Sequence, residues 1–137
     1  MISQTGKYAL RAMVYLAGSM NGRYHLVRDI SQALDIPAQY LSKVLLILAR
    51  RGLLESQRGR QGGFKLKIQA NEINLYDILD SIENPDWFYN CLIGSAKCDE
   101  TKPCSLHPLW SGVRDRYLEF LRSTTLDKLS GAGSVPA

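Results

Sequence analysis

Cysteine is scarce in this chain of 137 residues, and its absence from residues 1–90 excludes a good deal. There are three thiols, an odd number, and all of them fall between Cys91 and Cys104. Lys7 and Arg11 interrupt the apolar stretch near the start, so no secretory leader is expected and neither is a disulfide framework. Reduced thiols in a cytoplasmic setting are the expectation. Long hydrophobic runs are missing too. Nothing approaches the ~20 apolar residues that cross a bilayer, so no membrane partner is expected. Acidic residues are nearly absent from the first half. Residues 1–70 hold eleven Lys and Arg against three Asp and Glu, a balance of +8, whereas residues 71–137 hold six against ten, a balance of −4. A basic half joined to an acidic half suits a polyanion-binding face on a soluble scaffold. With 45% hydrophobic residues, the chain can build a core of its own.

The first half carries the punctuation of a winged helix-turn-helix. Ser3 is placed to cap a helix whose apolar face is Leu10, Met13, Val14 and Ala17; the pattern covers 8–20 and stops at Asn21-Gly22. A second helix is expected over 27–34 with Ile30, Ala33 and Leu34 inward. Asp35-Ile36-Pro37 then breaks the chain and restarts it. The third helix, over 37–51, buries Leu41, Val44, Leu45 and Leu48 and turns Gln39, Ser42, Lys43 and Arg50 outward. Two short helices joined by a tight turn, the second polar and basic on its free face, meet the requirement of a helix-turn-helix. Near the start of that second helix, Gln39, Tyr40, Ser42 and Lys43 are the candidate base readers: Gln suits an adenine edge, Lys a guanine or a phosphate.

Gly52 ends the third helix, and 53–57 can pair with 64–68 around Arg58-Gly59-Arg60-Gln61-Gly62-Gly63. Glycines let such a tip turn sharply, while Arg58 and Arg60 offer cations to a minor groove or to phosphates. Arg28 is a third candidate phosphate contact. The loop joins two strands instead of opening a helix and has no Walker lysine-plus-hydroxyl signature, so a nucleotide site is set aside. No small-molecule substrate is expected. His25 is expected to be only a surface residue near the turn after the first helix.

In the second half, a helix over 75–82 is capped by Asn74, turns Ile78, Leu79 and Ile82 inward, and ends at Asn84-Pro85. Next comes Cys91-x6-Cys98-x5-Cys104-x2-His107, a segment also holding Gly94 and Pro103 and followed by Pro108, hence a loop. The final helix, over 109–125, puts Trp110, Val113, Tyr117, Phe120 and Leu121 on one stripe, and Arg114, Asp115, Glu119 and Arg122 mainly on the other face. So large an aromatic stripe covers its own core or a second copy, and the two-fold symmetry of palindromic DNA sites favours the copy. Residues 130–137 are small and turn-rich, the composition of a disordered tail. The chain thus divides into a DNA-binding region over 1–70 and a loop with its dimerisation helix over 71–129.

A loop that gathers every thiol and ends in an imidazole is built like a metal or redox site. Thiolates are soft donors suited to iron–sulfur clusters, and an imidazole among them raises the potential. The same four side chains suit tetrahedral zinc, although structural zinc sites usually arrive as close pairs and no C-x2-C occurs here. A third option is a reversible disulfide between two of the cysteines. Cys104 and His107 also have the types of a nucleophile pair, but no third orienting residue accompanies them, so an enzyme is not expected.

This order of elements, with the Arg58-Gly59-x-x-Gly62-Gly63-Phe64 wing, resembles the Rrf family of winged-helix transcriptional regulators, and within it the iron–sulfur cluster regulator type, IscR. The run Gly6-Lys7-Tyr8-Ala9-Leu10-Arg11-Ala12-Met13 and the run Cys104-x-x-His107-x-x-Trp110 are its most specific pieces. The likeness reaches from about Ile2 to Leu129. It implies a mainly α fold with a small β-hairpin wing and a homodimer crossing its long C-terminal helices. It also implies contacts to double-stranded DNA from the third helix and wing, and a cluster held by the loop. Cys91, Cys98, Cys104 and His107 fall on the four ligand positions of the [2Fe–2S] centre of that type. The first spacing is six residues here and five there, which leaves nuclearity open, with [2Fe–2S] favoured over [4Fe–4S]. Lys7 stands where the nitric-oxide-sensing branch has a ligating aspartate, and Ser42 where the IscR type has a glutamate, so that branch's reading is weakened and the DNA preference does not carry over. The resulting expectation is a homodimeric regulator of a palindromic operator that senses cluster, redox or iron status. The alternative is a cluster-free winged-helix regulator controlled by thiol oxidation or by a partner protein.

Overall fold

Ser3 opens the first helix. In the computed structural model its Oγ accepts the Gly6 N–H at 3.0 Å, and α1 runs over Gln4–Gly18. The cap sets the start, several residues ahead of the apolar stripe that identifies the helix. The structure describes residues 2–19, 22–84, 86–93 and 97–129. The expected stop at Asn21, the residues Pro85 and Gly94, and the tail 130–137 lie outside the described residues.

The second helix, α2, spans Val27–Leu34 as its pattern indicates, and buries Ile30 and Leu34. Ala33, expected inward, is exposed. A helix this short buries the narrow stripe through 27, 30 and 34, and residue 33 falls beside it. Asp35 takes a left-handed conformation (φ 54°, ψ 49°), Ile36 is buried beyond it, and Pro37 becomes the N-cap of α3 over Ala38–Arg50. Leu41, Val44, Leu45 and Leu48 of α3 are all buried, each contributing about 1.5–3 kcal/mol.

After α3 the chain forms an antiparallel hairpin, β1 (Leu54–Gln57) with β2 (Gly63–Leu66), in the register Leu54 with Leu66 and Gln57 with Gly63. Its tip closes through the Gly62 N–H donating to the Gly59 carbonyl at 3.0 Å. A further rung lies on the other side of β2. The His25 N–H donates to the Phe64 carbonyl and the Phe64 N–H to the His25 carbonyl, both at 2.9 Å. His25 is therefore not the plain surface residue expected: its backbone extends the sheet and its ring meets Tyr15 edge-on at 5.8 Å. Gly63 is required at this crossing. Its φ is +116°, and a Cβ there would stand 1.9 Å from the His25 carbonyl oxygen.

Helix α4 (Leu75–Ile82) is capped by Asn74, whose Oδ1 accepts the Asp77 N–H at 2.8 Å. Ile78 and Leu79 are buried and Ile82 half-buried. The long helix α5 covers His107–Ser123, two residues earlier than its pattern suggests, with Pro108 in its first turn. Arg114, expected on the face away from the stripe, departs from the expectation. Leu121 and Arg114 are buried, while Val113 and Phe120 are 59% and 52% exposed. At 100° per residue, 110, 114, 117 and 121 share one line, and 109, 113 and 120 form a second line beside it. The chain end returns to α4 through the Leu75 N–H to the Thr124 carbonyl (3.0 Å) and the Leu126 N–H to the Ile73 carbonyl (2.9 Å). Among the described residues, five α-helices and a two-stranded hairpin make a winged helix-turn-helix with a long C-terminal helix. Among the described residues no helix is long and apolar enough to cross a membrane.

Candidate nucleic-acid interface and cysteine site

Opposite the buried stripe of α3 lie Gln39, Lys43, Leu46 and Arg50, spaced four, three and four residues apart, which puts them on one outward line. Between the start of α2 and the hairpin, with Leu46 of α3 in its wall, runs an open groove of about 1010 Å³ lined among others by Arg28, Arg58 and Arg60. The structure thus brings together the three arginines singled out as phosphate contacts. Arg28 Nε stands 3.9 Å from Asp29 Oδ1, both side chains largely exposed, and such a pair holds a guanidinium only weakly. Of the four candidate readers, Gln39, Tyr40 and Lys43 are exposed and Ser42 is half-buried. Tyr40 is also engaged from behind: its ring meets Tyr8 edge-on at 5.4 Å and its hydroxyl hydrogen-bonds Thr5 Oγ1. Leu46, an apolar side chain in the groove wall, was not singled out from the sequence, although its spacing from Gln39 and Lys43 places it there.

The cysteine loop leaves α4 past Glu83 and turns through a short 3-10 segment, Trp87–Tyr89. Phe88 is buried in parallel stacking on Tyr117 of α5, ring centroids 5.6 Å apart. The Cys98 N–H donates to the Tyr89 carbonyl at 2.9 Å, and Asn90 pairs with Lys97 across the same closure. An ion pair between Lys97 Nζ and Asp86 Oδ2, at 2.5 Å, lies on its outside. Asp99 accepts the Thr101 N–H (2.9 Å) and hydroxyl (2.6 Å), and these bonds hold its carboxyl below the usual range. The Cys104 carbonyl takes the His107 N–H at 3.0 Å, where α5 begins.

Cys91 and Cys98 are half-buried and hydrogen-bond one another; Cys104 is exposed. Burial pushes the Cys98 thiol above its ordinary value, neighbouring Cys91 and Cys104 add to the rise, and Arg114 opposes it. The loop therefore places its three thiols within electrostatic reach of one another and of α5. Arg114, assigned from the sequence to the outer face, is buried, with its guanidinium 5.5 Å from the centroid of the Tyr89 ring. The buried Arg114 Nε, Trp110 Nε1 and Trp87 Nε1 have no hydrogen-bond partner. Among the described residues no three His, Cys, Asp or Glu side chains converge as a ready-made metal group. The donors nonetheless fit an iron–sulfur centre in kind. They comprise three soft thiols and an imidazole on an irregular loop, bordered by a buried cation suited to a negatively charged group.

One contact links this loop to the other half of the chain. Glu83 Oε1 accepts both the Ser3 N–H (3.0 Å) and the Ser3 hydroxyl (2.8 Å), joining the loop entrance to the start of α1. A Cβ on Gly6 would meet the same oxygen at 2.4 Å. Pairing over eighty positions leaves no local signal in sequence.

A helix-turn-helix, a hairpin whose arginines share its groove, and a cysteine loop feeding a long helix define a winged-helix regulator of transcription. The chain belongs to the Rrf2 family, described as iron-dependent transcriptional regulators, whose profile matches residues 2–132. It is similar to the HTH-type transcriptional regulator IscR of Pectobacterium atrosepticum, 33% identical over 129 residues, 93% of this chain and 77% of that protein. Among solved structures, CymR, the global cysteine regulator of B. subtilis, matches with a TM-score of 0.80 at 30% identity over 95% of both chains. The IscR of T. potens matches with a TM-score of 0.73 at 28% identity, over 93% of this chain and 83% of that one. The protein is a DNA-binding transcriptional regulator and not an enzyme.

Proposed function

We propose that the protein is a cytoplasmic homodimer that binds a palindromic double-stranded operator and answers to the state of its cysteine loop. Residues 1–70 are the reading unit and residues 71–129 the sensing and dimerising one. The observation that carries this reading is the burial of Arg114 of α5 against Tyr89, whose carbonyl holds the Cys98 N–H of the cysteine loop. Arg28, Arg58 and Arg60 take phosphates from within their shared groove, while Gln39, Tyr40, Ser42 and Lys43 read base edges. Leu109, Val113 and Phe120, exposed along α5, form the stripe that meets a second copy.

Cys91, Cys98, Cys104 and His107 would hold an iron–sulfur centre, [2Fe–2S] in preference to [4Fe–4S]. When bound, such a centre supplies a charge whose value and presence depend on oxidant and iron. The chain's own residues carry the consequence onward. His107 is the first residue of α5, so fixing its imidazole fixes where the dimerisation helix starts. Glu83 ties the loop entrance to Ser3, and Thr5 and Tyr8, one turn on, touch Tyr40 of the recognition helix. The loop thereby biases two arrangements of the recognition helices, through α5 to the partner and through α1 within the chain.

The test is an absorption spectrum of the full-length protein purified without oxygen, with iron and sulfide counted per chain. Visible bands with matching iron and sulfide are expected. A colourless, iron-free protein that still binds its operator would overturn the cluster and leave the second reading, a metal-free thiol switch. That reading is favoured by the Cys91–Cys98 hydrogen bond and by similarity to a global cysteine regulator. It predicts a reversible Cys91–Cys98 disulfide, seen by mass after mild oxidation.

A further inference from the structure

We infer that Arg114 is the counter-charge of the cysteine site, its guanidinium balancing an anionic occupant held by Cys91, Cys98 and Cys104. On the reading above, the occupant is a thiolate-bound iron–sulfur centre, and the inference rests on that reading for the identity of the anion.

The argument starts from an imbalance. Arg114 is 6% exposed, and its Nε has no hydrogen-bond partner. A guanidinium keeps its charge at any ordinary pH, so burial does not neutralise it. Removing such a charge from water is costly unless an opposite charge or a full set of acceptors meets it. The neighbouring carboxylate is a poor answer. Asp115 Oδ1 is 3.7 Å from Nε, but Asp115 is the next residue on the helix and its side chain is 71% exposed, so water screens the pair. The Tyr89 ring, 5.5 Å from the guanidinium carbon, supplies a further weak contact.

What surrounds the cation indicates its partner. Tyr89 is the residue whose carbonyl receives the Cys98 N–H, so the ring under Arg114 and the backbone of Cys98 belong to one closure. Arg114 lies two turns along α5 from His107 and one turn from Trp110, whose indole Nε1 is likewise buried without a partner. Two N–H donors without a hydrogen bond and a buried positive charge thus lie along one line of α5, and that line meets the loop at Tyr89, where Cys98 is bound. Lys97, the other cation of the closure, is engaged outside with Asp86. The arrangement is incomplete for a neutral loop and complete for a negatively charged one. Arg114 is a positioning residue in this account, since it acts through the charge of the thiol-held group.

Two measurements on the full-length chain test this. In metal-free protein, the rate of Cys98 modification is read by mass with a dianionic aromatic disulfide and with a neutral dipyridyl disulfide. The ratio of the two rates cancels the thiol's own reactivity and reports local charge. Arg114→Met, a neutral side chain tolerated where buried ions are replaced by apolar ones, should lower the ratio by about threefold, and Arg114→Lys should keep it. An unchanged ratio in a folded Arg114→Met protein overturns the inference. Should that variant not fold, the wild-type chain still decides, because Cys98 must then prefer the anionic probe more than exposed Cys104 does. In protein reconstituted with iron and sulfide without oxygen, Arg114→Met should make one-electron reduction about tenfold less favourable, a downward shift of about 59 mV. Arg114→Lys should not shift, and an unmoved potential in Arg114→Met also counts against the inference. If no visible bands form in the wild type, the cluster reading fails separately, and the probe ratio alone decides the role of Arg114.

Discussion

The wing and the cysteine loop are both irregular segments joining regular elements, and they are built in opposite ways. The wing is a hairpin with a rung on each side of β2, ending in a tip where Arg58 and Arg60 stand exposed on a fixed frame. The cysteine loop has Cys91 and Cys98 half inside and Cys104 exposed, and among the described residues its backbone bonds are short-range turns, such as Tyr89 to Asp86 and His107 to Cys104, joined by the closure of Cys98 on Tyr89 beside the Asn90–Lys97 bridge. A groove reader must keep its charges at constant spacing, which favours backbone rungs. A sensor must rearrange at small cost, which favours a segment with few of them. Functional side chains sit on the stiff frame in one case and define the soft one in the other.

The largest effects should separate these two regions cleanly. Cys98→Ser should abolish the visible absorption and bound iron of anaerobic protein, while lowering the melting temperature by less than about 3 °C, because little regular structure depends on the loop. Gly63→Val should do the reverse. Its Cβ collides with the His25 carbonyl at a positive φ, costing roughly 2–3 kcal/mol and about 6–12 °C in melting temperature. Operator binding should fall with it while the spectrum stays. A Cys98→Ser protein that unfolds, or a Gly63→Val protein with full DNA affinity, would break the comparison.

Arg58→Ala tests the frame with less damage. Affinity should drop for every DNA sequence, and the slope of log K against log salt should flatten by about 0.9, one phosphate contact. An unchanged slope removes Arg58 from the interface. The smallest effect concerns Cys98 itself. Its thiol is raised by burial and by Cys91, so in metal-free protein it should be alkylated more slowly than exposed Cys104. The sign for stability follows: the fold prefers the neutral thiol, a contribution fully present below the unfolded thiol's value and lost as pH rises through the raised folded one. A slight fall in melting temperature at alkaline pH, absent in Cys98→Ser, is the expected observation.

How much of this was legible in the sequence varied with distance along the chain. The α3 stripe of Leu41, Val44, Leu45 and Leu48 and the break at Asp35-Ile36-Pro37 are local, and periodicity and proline chemistry locate them without help. The wing arginines were legible as a pair, but their convergence with Arg28 depends on three elements packing together. His25 was misread because its partner Phe64 is thirty-nine positions away, and local pattern carries no trace of such pairing. Arg114 was misread for a different reason. Large apolar residues outline two adjacent stripes on α5, and a charged residue at the far edge of the first was assigned outward by type, although its line with Trp110, Tyr117 and Leu121 was available. The cysteine spacing was plain, but an irregular backbone has no period from which to derive contacts.

The rung between His25 and Phe64 makes the wing less interchangeable than a hairpin tip looks. Its second strand, β2, is laced to the residues just ahead of α2, so the angle at which the tip meets the groove is set jointly by two stretches nearly forty positions apart. A transplant of residues 58–62 alone would carry new chemistry on the old frame. Exchanging the whole hairpin over 54–66 would cut the lacing unless the stretch around His25 travelled with it. For anyone rebuilding the operator preference of this regulator, the portable unit is discontinuous: a hairpin and the short segment that fastens it.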